Sequence, residues 1–263
     1  MPLSDRFQSQ VALLMEVLPF VAAETVFALK GGTAINLFVR DMPRLSVDID
    51  LTYLPVSPRP ESLSAFDAAM KTIAQATRAG LGDARVNEVV NRAEGIVTKL
   101  TVQRGDAQIK VEVTPVLRGC VFEPELRTVS PKVEEAFGFA ETQVVSFSDL
   151  YAGKVVAALD RQHPRDLFDV RDLLANEGIS DDLRRAFIVY LISHDRPISE
   201  VVVPRPKDIR EEFEQGFDGM TAEPVSLDDL LEAREHLIAE VPGKMPAEHC
   251  LAFPALPISP QSS

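Results

Sequence analysis

The sequence has 263 residues, 46% hydrophobic and 25% charged, and these proportions exclude a disordered or fibrous chain. Its formal net charge of −13 argues against broad nonspecific nucleic-acid binding, which requires many Lys and Arg side chains to neutralise phosphates. The charge is uneven, because 22 acidic but only 12 basic residues lie between Ser148 and Ser263. We therefore expect a polyanion to meet the N-terminal half or a local basic patch, and a basic protein partner to suit the C-terminal half.

The sequence carries no recognisable targeting signal. No basic segment precedes a clean apolar run at the N-terminus, so we expect no signal peptide. No run of 18 apolar residues occurs, so we also expect no membrane span. Cys120 and Cys250 lack metal-ligand spacing, which is typical of reduced thiols in a cytoplasmic protein.

The first half of the chain mixes helical and strand-like patterns. Residues 8–24 have helical spacing of apolar side chains, with Pro19 expected to bend or end the helix. Residues 25–29 form a strand-like apolar run that stops at Gly31-Gly32, and residues 33–39 predict a helix. Residues 46–53 alternate with the period of two that is typical of a strand. Beyond these, the patterns predict a helix over residues 61–78 and strands over residues 85–90, 96–103 and 108–116.

From about residue 148 the pattern becomes helical and remains so. Residues 148–160, 165–178, 181–193, 207–214 and 226–240 all have helical spacing. The sequence therefore predicts an α+β protein with a strand-and-helix domain over residues 1–145 and a helical domain over residues 146–245. The proline-containing residues 246–263 predict an irregular tail.

The pair Gly31-Gly32 lies where a predicted strand runs directly into a predicted helix. Free backbone amides at a helix start attract negative charge, and glycine lets a phosphate approach the backbone closely. Thr33 adds a hydroxyl group at the same place. The pair is therefore a candidate phosphate site, although an ordinary chain reversal would also use two glycines.

Asp48 and Asp50 are two residues apart in the next predicted strand. Their carboxylates, with Ser46 beside them, should face one side while Val47, Ile49 and Leu51 enter the core. Adjacent carboxylates repel each other unless a cation lies between them, and oxygen ligands suit Mg²⁺. The alternative is a solvated face of an edge strand.

A phosphate site and a metal-binding pair together are what nucleotidyl transfer requires. The stretch GGTAINLFVRDMPRLSVDIDL resembles the signature of the nucleotidyltransferase (polymerase β-like) superfamily, and more closely the AbiEii/AbiGii (MenT-like) toxin family. The resemblance implies an N-terminal nucleotidyltransferase-type mixed sheet with flanking helices, followed by a C-terminal helical bundle. It also implies metal-dependent transfer of a nucleoside monophosphate from a triphosphate to the 3′ end of tRNA, which blocks translation. An AbiEi-like antitoxin protein would be the partner.

The superfamily usually has a third carboxylate on a strand beside the Asp-x-Asp strand. Glu112 lies in the strand-like run QIKVEVTPV, on one face with Lys110 and Thr114. The resemblance implies that Glu112 completes the metal site or accepts the proton of the attacking hydroxyl. The alternative is an exposed residue paired with Lys110.

In the helical half, DLYAGKVVAALDRQHPRDLFDV resembles the Lys…Arg-Asp…Asp segment of the family. The resemblance implies that Lys154 binds donor phosphates and that Asp166 or Asp169 orients it or the substrate. The alternative is a surface lattice of charges spaced four residues apart, which includes Asp172. His163 is assigned no catalytic or metal role.

The predicted sites can be stated by role. The metal, Mg²⁺ or Mn²⁺ in its place, would be bound by Asp48, Asp50 and Glu112. The nucleoside triphosphate would be bound by Gly31, Gly32, Thr33, Ser46, Lys154 and Asp169. Catalysis would depend on Asp48, Asp50, Glu112, Lys154 and Asp166.

Two other functions are open at this point. A small-molecule nucleotidyltransferase of the aminoglycoside-modifying kind would suit the acidic composition, because a polycationic acceptor is attracted where tRNA is repelled. A catalytically silent fold that binds a nucleotide or a protein partner is the second, but clustered carboxylates repel a triphosphate unless a metal is present.

Overall fold

The computed structural model describes residues 5–243 of the chain. The predicted irregular tail over residues 246–263, which includes Cys250, lies outside the described residues. The chain divides into two compact units, with the boundary between Ser146 and Phe147. Within the described part of the chain, each helix is too short or too polar to cross a membrane.

The N-terminal unit combines helices with a mixed sheet. Its helical segments are α1 (Asp5–Ala22), α2 (Gly31–Ala34) with its π-helical continuation (Ile35–Val39), α3 (Arg59–Gly80) and α4 (Pro131–Phe137). Its strands are β1 (Phe27–Lys30), β2 (Asp48–Tyr53), β3 (Arg85–Asn91), β4 (Ile96–Arg104), β5 (Ala107–Arg118), β6 (Glu125–Thr128) and β7 (Glu141–Val144). The strands form one sheet in the order β3-β4-β5-β2-β1-β7-β6. The pairs β2–β5 and β1–β7 are parallel and the others antiparallel.

Alternation along the central strands separates an apolar face from a polar face. In β2 the side chains of Ile49 and Leu51 are buried, whereas those of Asp48 and Asp50 are half-buried. Val111 of β5 continues the apolar face beside Ile49. Helix α1 packs against β5 and helix α3 against β4. The polar side chains therefore emerge on the opposite face of β2 and β5, as the period of two predicts.

The C-terminal unit is helical throughout the residues described. Its helices are α5 (Phe147–Arg161), α6 (Pro164–Asn176), α7 (Asp181–Ile192), α8 (Ile198–Val202), α9 (Arg210–Gly216) and α10 (Leu227–Gly243). Helix α5 is central, because it contacts α6, α7, α8 and α10. Tyr151 of α5 is fully buried. The predicted fold class, an α+β protein with a mixed sheet followed by helices, is confirmed.

Some local predictions were wrong. Pro19 does not end α1, which continues to Ala22. The strand predicted over residues 46–53 begins only at Asp48. Strands β6 and β7 have four residues each and α4 has seven, and none of them was predicted. Such short elements contain too few residues to display a period of their own.

Candidate active site

Gly31 connects β1 to α2 in a conformation that excludes other residues. Its φ angle is +75°, in the left-handed region that favours glycine. A Cβ atom at this position would lie 2.5 Å from Oδ2 of Asp50. The backbone of Gly31 therefore lies directly against the carboxylate of Asp50. The glycine pair and the aspartate strand, which are separate in the sequence, are adjacent in the structure.

Gly32 lies against a buried cation. A Cβ atom at Gly32 would be 2.8 Å from Nη2 of Arg44 and 2.8 Å from Oγ of Ser46. The buried Arg44 donates from Nη1 to the carbonyl oxygen of Leu45 at 2.8 Å. Its backbone N–H donates to Oδ1 of Asn36 at 3.3 Å, and Asn36 donates from Nδ2 to the carbonyl oxygen of Gly32 at 2.8 Å. These bonds hold a positive charge and a hydroxyl group beside the glycine loop.

Thr33 connects the start of α2 to the start of β2 through hydrogen bonds. Its side chain is fully buried, and its hydroxyl donates to the carbonyl oxygen of Asp48 at 2.5 Å. The same hydroxyl lies 3.1 Å from Oγ of Ser46. Thr33 was predicted to bind phosphate, but its hydroxyl is committed to partners within the chain. Its position suits a residue that holds Asp48 and Ser46 in place.

The three predicted carboxylates lie on neighbouring strands of the same sheet. Strands β2 and β5 pair in parallel, with Asp50 in register with Glu112 and Asp48 in register with Lys110. Residues in register on adjacent strands point to the same face, with the strands about 4.8 Å apart. Asp48, Asp50 and Glu112 therefore share the polar face of the sheet.

Lysines flank the carboxylates in the same row. Antiparallel pairing places Lys30 of β1 beside Asp50 and Lys99 of β4 beside Glu112. The Lys99 ammonium lies 2.8 Å from Oε1 of Glu112. Burial lowers the pKa of Lys30, although the nearby Asp50 carboxylate acts in the opposite direction. The row Lys30–Asp50–Glu112–Lys99 thus places two carboxylates between two ammonium groups, which reduces their mutual repulsion.

Asp48 and Asp50 form an open pair of oxygen ligands for a hard divalent cation, not a closed cluster of three ligands. Among residues 5–243, no three acidic, His or Cys side chains lie close enough together to hold a metal ion. Glu112 is instead paired with Lys99. Mg²⁺ is usually bound through one or two carboxylates together with water and substrate phosphate oxygens. Asp48 and Asp50, on one face beside the glycine loop, provide that kind of donor set.

A second cluster of charges is buried within the C-terminal unit. The Lys154 side chain, from the middle of α5, is only 7% exposed. Its ammonium lies 2.8 Å from Oδ1 of Asp166 and 3.0 Å from Oδ2 of Asp169, both on α6. Asp166 and Asp169 are each buried. The alternative of a surface charge lattice does not describe these three residues, because they form a buried ion cluster.

Asp166 contacts a second cation in addition to Lys154. Arg161 at the end of α5 donates from Nη2 to Oδ1 of Asp166 at 3.0 Å, and its Nε contacts Oδ2. Burial alone would raise the pKa of Asp166, but the charge of Lys154 and the hydrogen bond from Arg161 outweigh it. The pKa of Asp166 is therefore held well below its ordinary value, and the carboxylate stays ionised.

The neighbouring charged residues have structural or surface positions. His163 precedes α6, and its Nδ1 accepts a hydrogen bond from the backbone N–H of Arg165 at 3.1 Å. The imidazole is thus an N-cap, a role consistent with assigning it no catalytic one. Asp172 pairs with the adjacent Arg171 at 2.8 Å, at the partly exposed side of α6.

Four basic residues of these two sites were not predicted from the sequence: Lys30, Lys99, Arg44 and Arg161. Lys30 immediately precedes the glycine pair, and Arg44 lies two residues before Ser46, so proximity was a usable signal for both. Arg161 follows Lys154 by seven residues, which is two helical turns. Lys99 occupies an ordinary polar position of a strand, and nothing in the sequence distinguishes it.

The fold of the chain is one that a nucleotidyltransferase toxin also adopts. The structure is similar to that of MenT4, a nucleotidyltransferase toxin from Mycobacterium tuberculosis H37Rv, with a TM-score of 0.66 and 17% sequence identity. The similarity covers 93% of this chain and 86% of MenT4. No curated protein sequence matches the chain.

A family model settles the family. The model described as the nucleotidyl transferase AbiEii toxin of type IV toxin–antitoxin systems matches residues 12–253, and the chain belongs to this family. The chain is thus a nucleotidyltransferase toxin that uses a nucleoside triphosphate and has an antitoxin partner.

Proposed function

We propose that this toxin transfers a nucleoside monophosphate from a triphosphate to the 3′ end of tRNA and thereby blocks translation. Mg²⁺, with Mn²⁺ as a substitute, would be held by Asp48 and Asp50, with Glu112 as the neighbouring third carboxylate and not as a third member of a preformed metal cluster. The observation that carries the proposal is the position of Asp50, which touches the Gly31 backbone and lies in register with Glu112. This position supports a site in which a phosphate-binding loop, a metal ligand and a third carboxylate act together.

The proposed reaction forms one bond and breaks one bond. The 3′ hydroxyl oxygen of the acceptor attacks the α-phosphorus, and the bond from this phosphorus to the bridging oxygen of pyrophosphate breaks. Glu112 is the group proposed to accept the proton from the attacking hydroxyl. When bound, Mg²⁺ stabilises the negative charge that develops on the reacting phosphate and the leaving pyrophosphate.

The glycine loop is proposed to bind the triphosphate. The backbone N–H groups of Gly31 and Gly32 lie at the start of a helical segment, where negative charge is favoured. Arg44 adds a fixed positive charge beside Gly32, and the Ser46 hydroxyl lies at the same place. Thr33 contributes by holding Ser46 and the Asp48 backbone rather than through the ligand itself.

Lys154 is proposed to neutralise charge on the donor phosphates, with Asp166 and Asp169 as its positioning residues. Both carboxylates contact the Lys154 ammonium, at 2.8 and 3.0 Å, so both restrict its motion. Arg161 also pairs with Asp166, so the negative charge of this carboxylate is divided between two cations and does not fully neutralise the Lys154 ammonium. The cluster supports a Lys side chain that is ordered before a ligand arrives.

The antitoxin is proposed to be an AbiEi-like protein, and the reaction is proposed to occur in the cytoplasm, where tRNA and nucleoside triphosphates occur together. The excess of acidic residues after residue 148 suits a basic surface on this partner, because opposite charges favour encounter.

The test is incubation of the purified toxin with total tRNA, Mg²⁺ and each α-³²P-labelled nucleoside triphosphate in turn. The variant Asp50→Asn removes one metal ligand with little change of shape. The matched control is Asp106→Asn, at an exposed residue of the turn between β4 and β5. We expect label in tRNA with the wild type and with Asp106→Asn, and a loss of at least about 100-fold with Asp50→Asn.

Other outcomes would redirect the proposal. Label on an aminoglycoside, with none on tRNA, would contradict the RNA acceptor and favour the small-molecule enzyme. Equal labelling by wild type and Asp50→Asn would contradict the proposed metal site. Triphosphate binding without transfer to any acceptor would favour the silent nucleotide-binding fold.

A further inference from the structure

The ion pair between Lys99 and Glu112 lies at the end of the charged row described above. The two residues are in register on β4 and β5, and their charged atoms are 2.8 Å apart. Their side chains are 37% and 35% exposed, so the pair is neither buried nor fully solvated. On the other side of Glu112, the register neighbour is Asp50 of β2.

We infer that Lys99 is a positioning residue for Glu112, and that it lowers the affinity of the carboxylates for a divalent cation before a nucleotide binds. The inference rests on the proposed function, because it concerns the same carboxylates. Lys99 contacts Oε1 of Glu112 at 2.8 Å. It therefore selects one orientation of a side chain that has several rotatable bonds.

Charge supports the second part of the inference. Asp48, Asp50 and Glu112 together carry three negative charges, and Lys30 and Lys99 in the row carry two positive ones. Lys110, in register with Asp48, contributes a third ammonium group to the same face. Removal of the Lys99 charge would make the site more negative and more attractive to a dication. Because the pair is half-exposed and solvent screens its charges, we expect removal of the Lys99 charge to tighten cation binding by about 3- to 10-fold.

A purely structural role makes a different prediction. A half-exposed ion pair contributes little to folding, so Lys99→Met is expected to fold like the wild type. If Lys99 served only the stability of β4 and β5, its removal would leave metal affinity unchanged. Direct binding of Mn²⁺ to the whole chain separates these roles without any use of turnover.

The experiment is titration of the protein with Mn²⁺, without nucleotide, followed by the electron paramagnetic resonance signal of free Mn²⁺. The variants are Lys99→Met, Lys99→Arg, Asp50→Asn, Glu112→Gln and the double variant Lys99→Met/Glu112→Gln. The matched control is Lys71→Met, because Lys71 of α3 forms an exposed ion pair with Asp67 at 2.6 Å. This control removes the same charge from the same unit but from outside the row.

We expect Lys99→Met to lower the Kd for Mn²⁺ by about 3- to 10-fold, whereas Lys99→Arg and Lys71→Met change it by less than about twofold. The effect of Lys99→Met should shrink to less than about twofold when Glu112 is already Gln, because the paired carboxylate is then absent. At saturating Mg²⁺, Lys99→Met should lower kcat for nucleotidyl transfer with little change in the KM for the triphosphate, and Lys99→Arg should restore it.

The outcomes distinguish this inference from the proposed function. Unchanged Mn²⁺ affinity in Lys99→Met, together with weakened affinity in Asp50→Asn, would overturn the role of Lys99 alone. Unchanged affinity in Asp50→Asn and Glu112→Gln would overturn the metal site, and with it both proposals. An equal effect of Lys99→Met and Lys71→Met would show that net charge, rather than the pair with Glu112, sets the affinity, and would also overturn the inference.

Discussion

Replacement of Lys154 by Met should destabilise the C-terminal unit by about 3–5 kcal/mol, the usual cost of removing one partner from a buried ion pair. Asp166 and Asp169 are buried, and the Lys154 ammonium lies within 3.0 Å of both. Arg161 would still contact Asp166, whereas Asp169 would lose the Lys154 ammonium at 3.0 Å. Met fills a similar volume, so a cavity contributes little to the expected loss.

The change can be measured by urea unfolding followed by near-ultraviolet circular dichroism. The sequence has three Tyr residues and no Trp, and two of the Tyr residues, Tyr151 and Tyr190, lie in the C-terminal unit. In a Tyr53→Phe background the tyrosine signal therefore reports this unit alone. Tyr151 is one helical turn from Lys154 and fully buried, which makes it a sensitive probe.

The double variant Lys154→Met/Asp169→Asn separates the lost ion pair from lost packing. It removes one positive and one negative charge, so at least about half of the destabilisation should be recovered. Arg185→Met is the surface control, because Arg185 is 70% exposed and 3.6 Å from Asp182, and it should cost less than about 0.5 kcal/mol. A loss below about 1 kcal/mol in Lys154→Met, or no recovery in the double variant, would refute this reasoning.

Gly31→Ala should abolish transfer in the labelling assay, because its Cβ would lie 2.5 Å from Oδ2 of Asp50. The φ angle of +75° at this position should also cost the variant about 1–2 kcal/mol of stability in urea unfolding. Wild-type activity would contradict the prediction. Thr33→Val should lose about 1–3 kcal/mol of stability, since the Asp48 carbonyl and the Ser46 hydroxyl lose a partner, whereas Thr33→Ser should remain close to wild type in the same unfolding assay. The free energy of unfolding should decrease as the pH is lowered below about 4, because the pKa of Asp166 is lower in the folded than in the unfolded chain. The stability that ionised Asp166 contributes is fully present above its unfolded pKa and is lost as the pH falls through its folded pKa. Urea midpoints measured across pH should show a weaker acid dependence in Asp166→Asn, and an unchanged dependence would count against this assignment.

The part of the site that could be predicted from sequence is the part that is local in the chain. Alternation in DIDL predicts that Asp48 and Asp50 share a face opposite Ile49, and the structure has this arrangement. The Gly31-Gly32 pair at the junction of a strand and a helix was likewise visible, because glycine and periodicity are local signals.

The pairing between strands could not be predicted in the same way. That Lys99 lies opposite Glu112, and Glu112 beside Asp50, depends on the register of β4, β5 and β2 and on their order in the sheet. A shift of one residue would send each of these side chains to the other face, and the polar pattern alone does not specify the partner. The inward direction of the Thr33 hydroxyl is a similar case, since only the neighbouring chain decides whether it meets a ligand or a carbonyl group.

The interior position of β5 in the sheet affects when, during synthesis of the chain, Asp48, Asp50 and Glu112 can come together. Strand β5 inserts between β4 and β2, so Glu112 reaches Asp50 only after α3, β3 and β4 have been synthesised. The pairing of β1 with β2 joins residues 27–30 to residues 50–53, so the residues that bring the glycine loop to Asp50 are all made early. A chain emerging from the ribosome would thus carry the glycine loop and two aspartates well before Glu112, and these residues would come together only when the parallel pair of β2 and β5 forms.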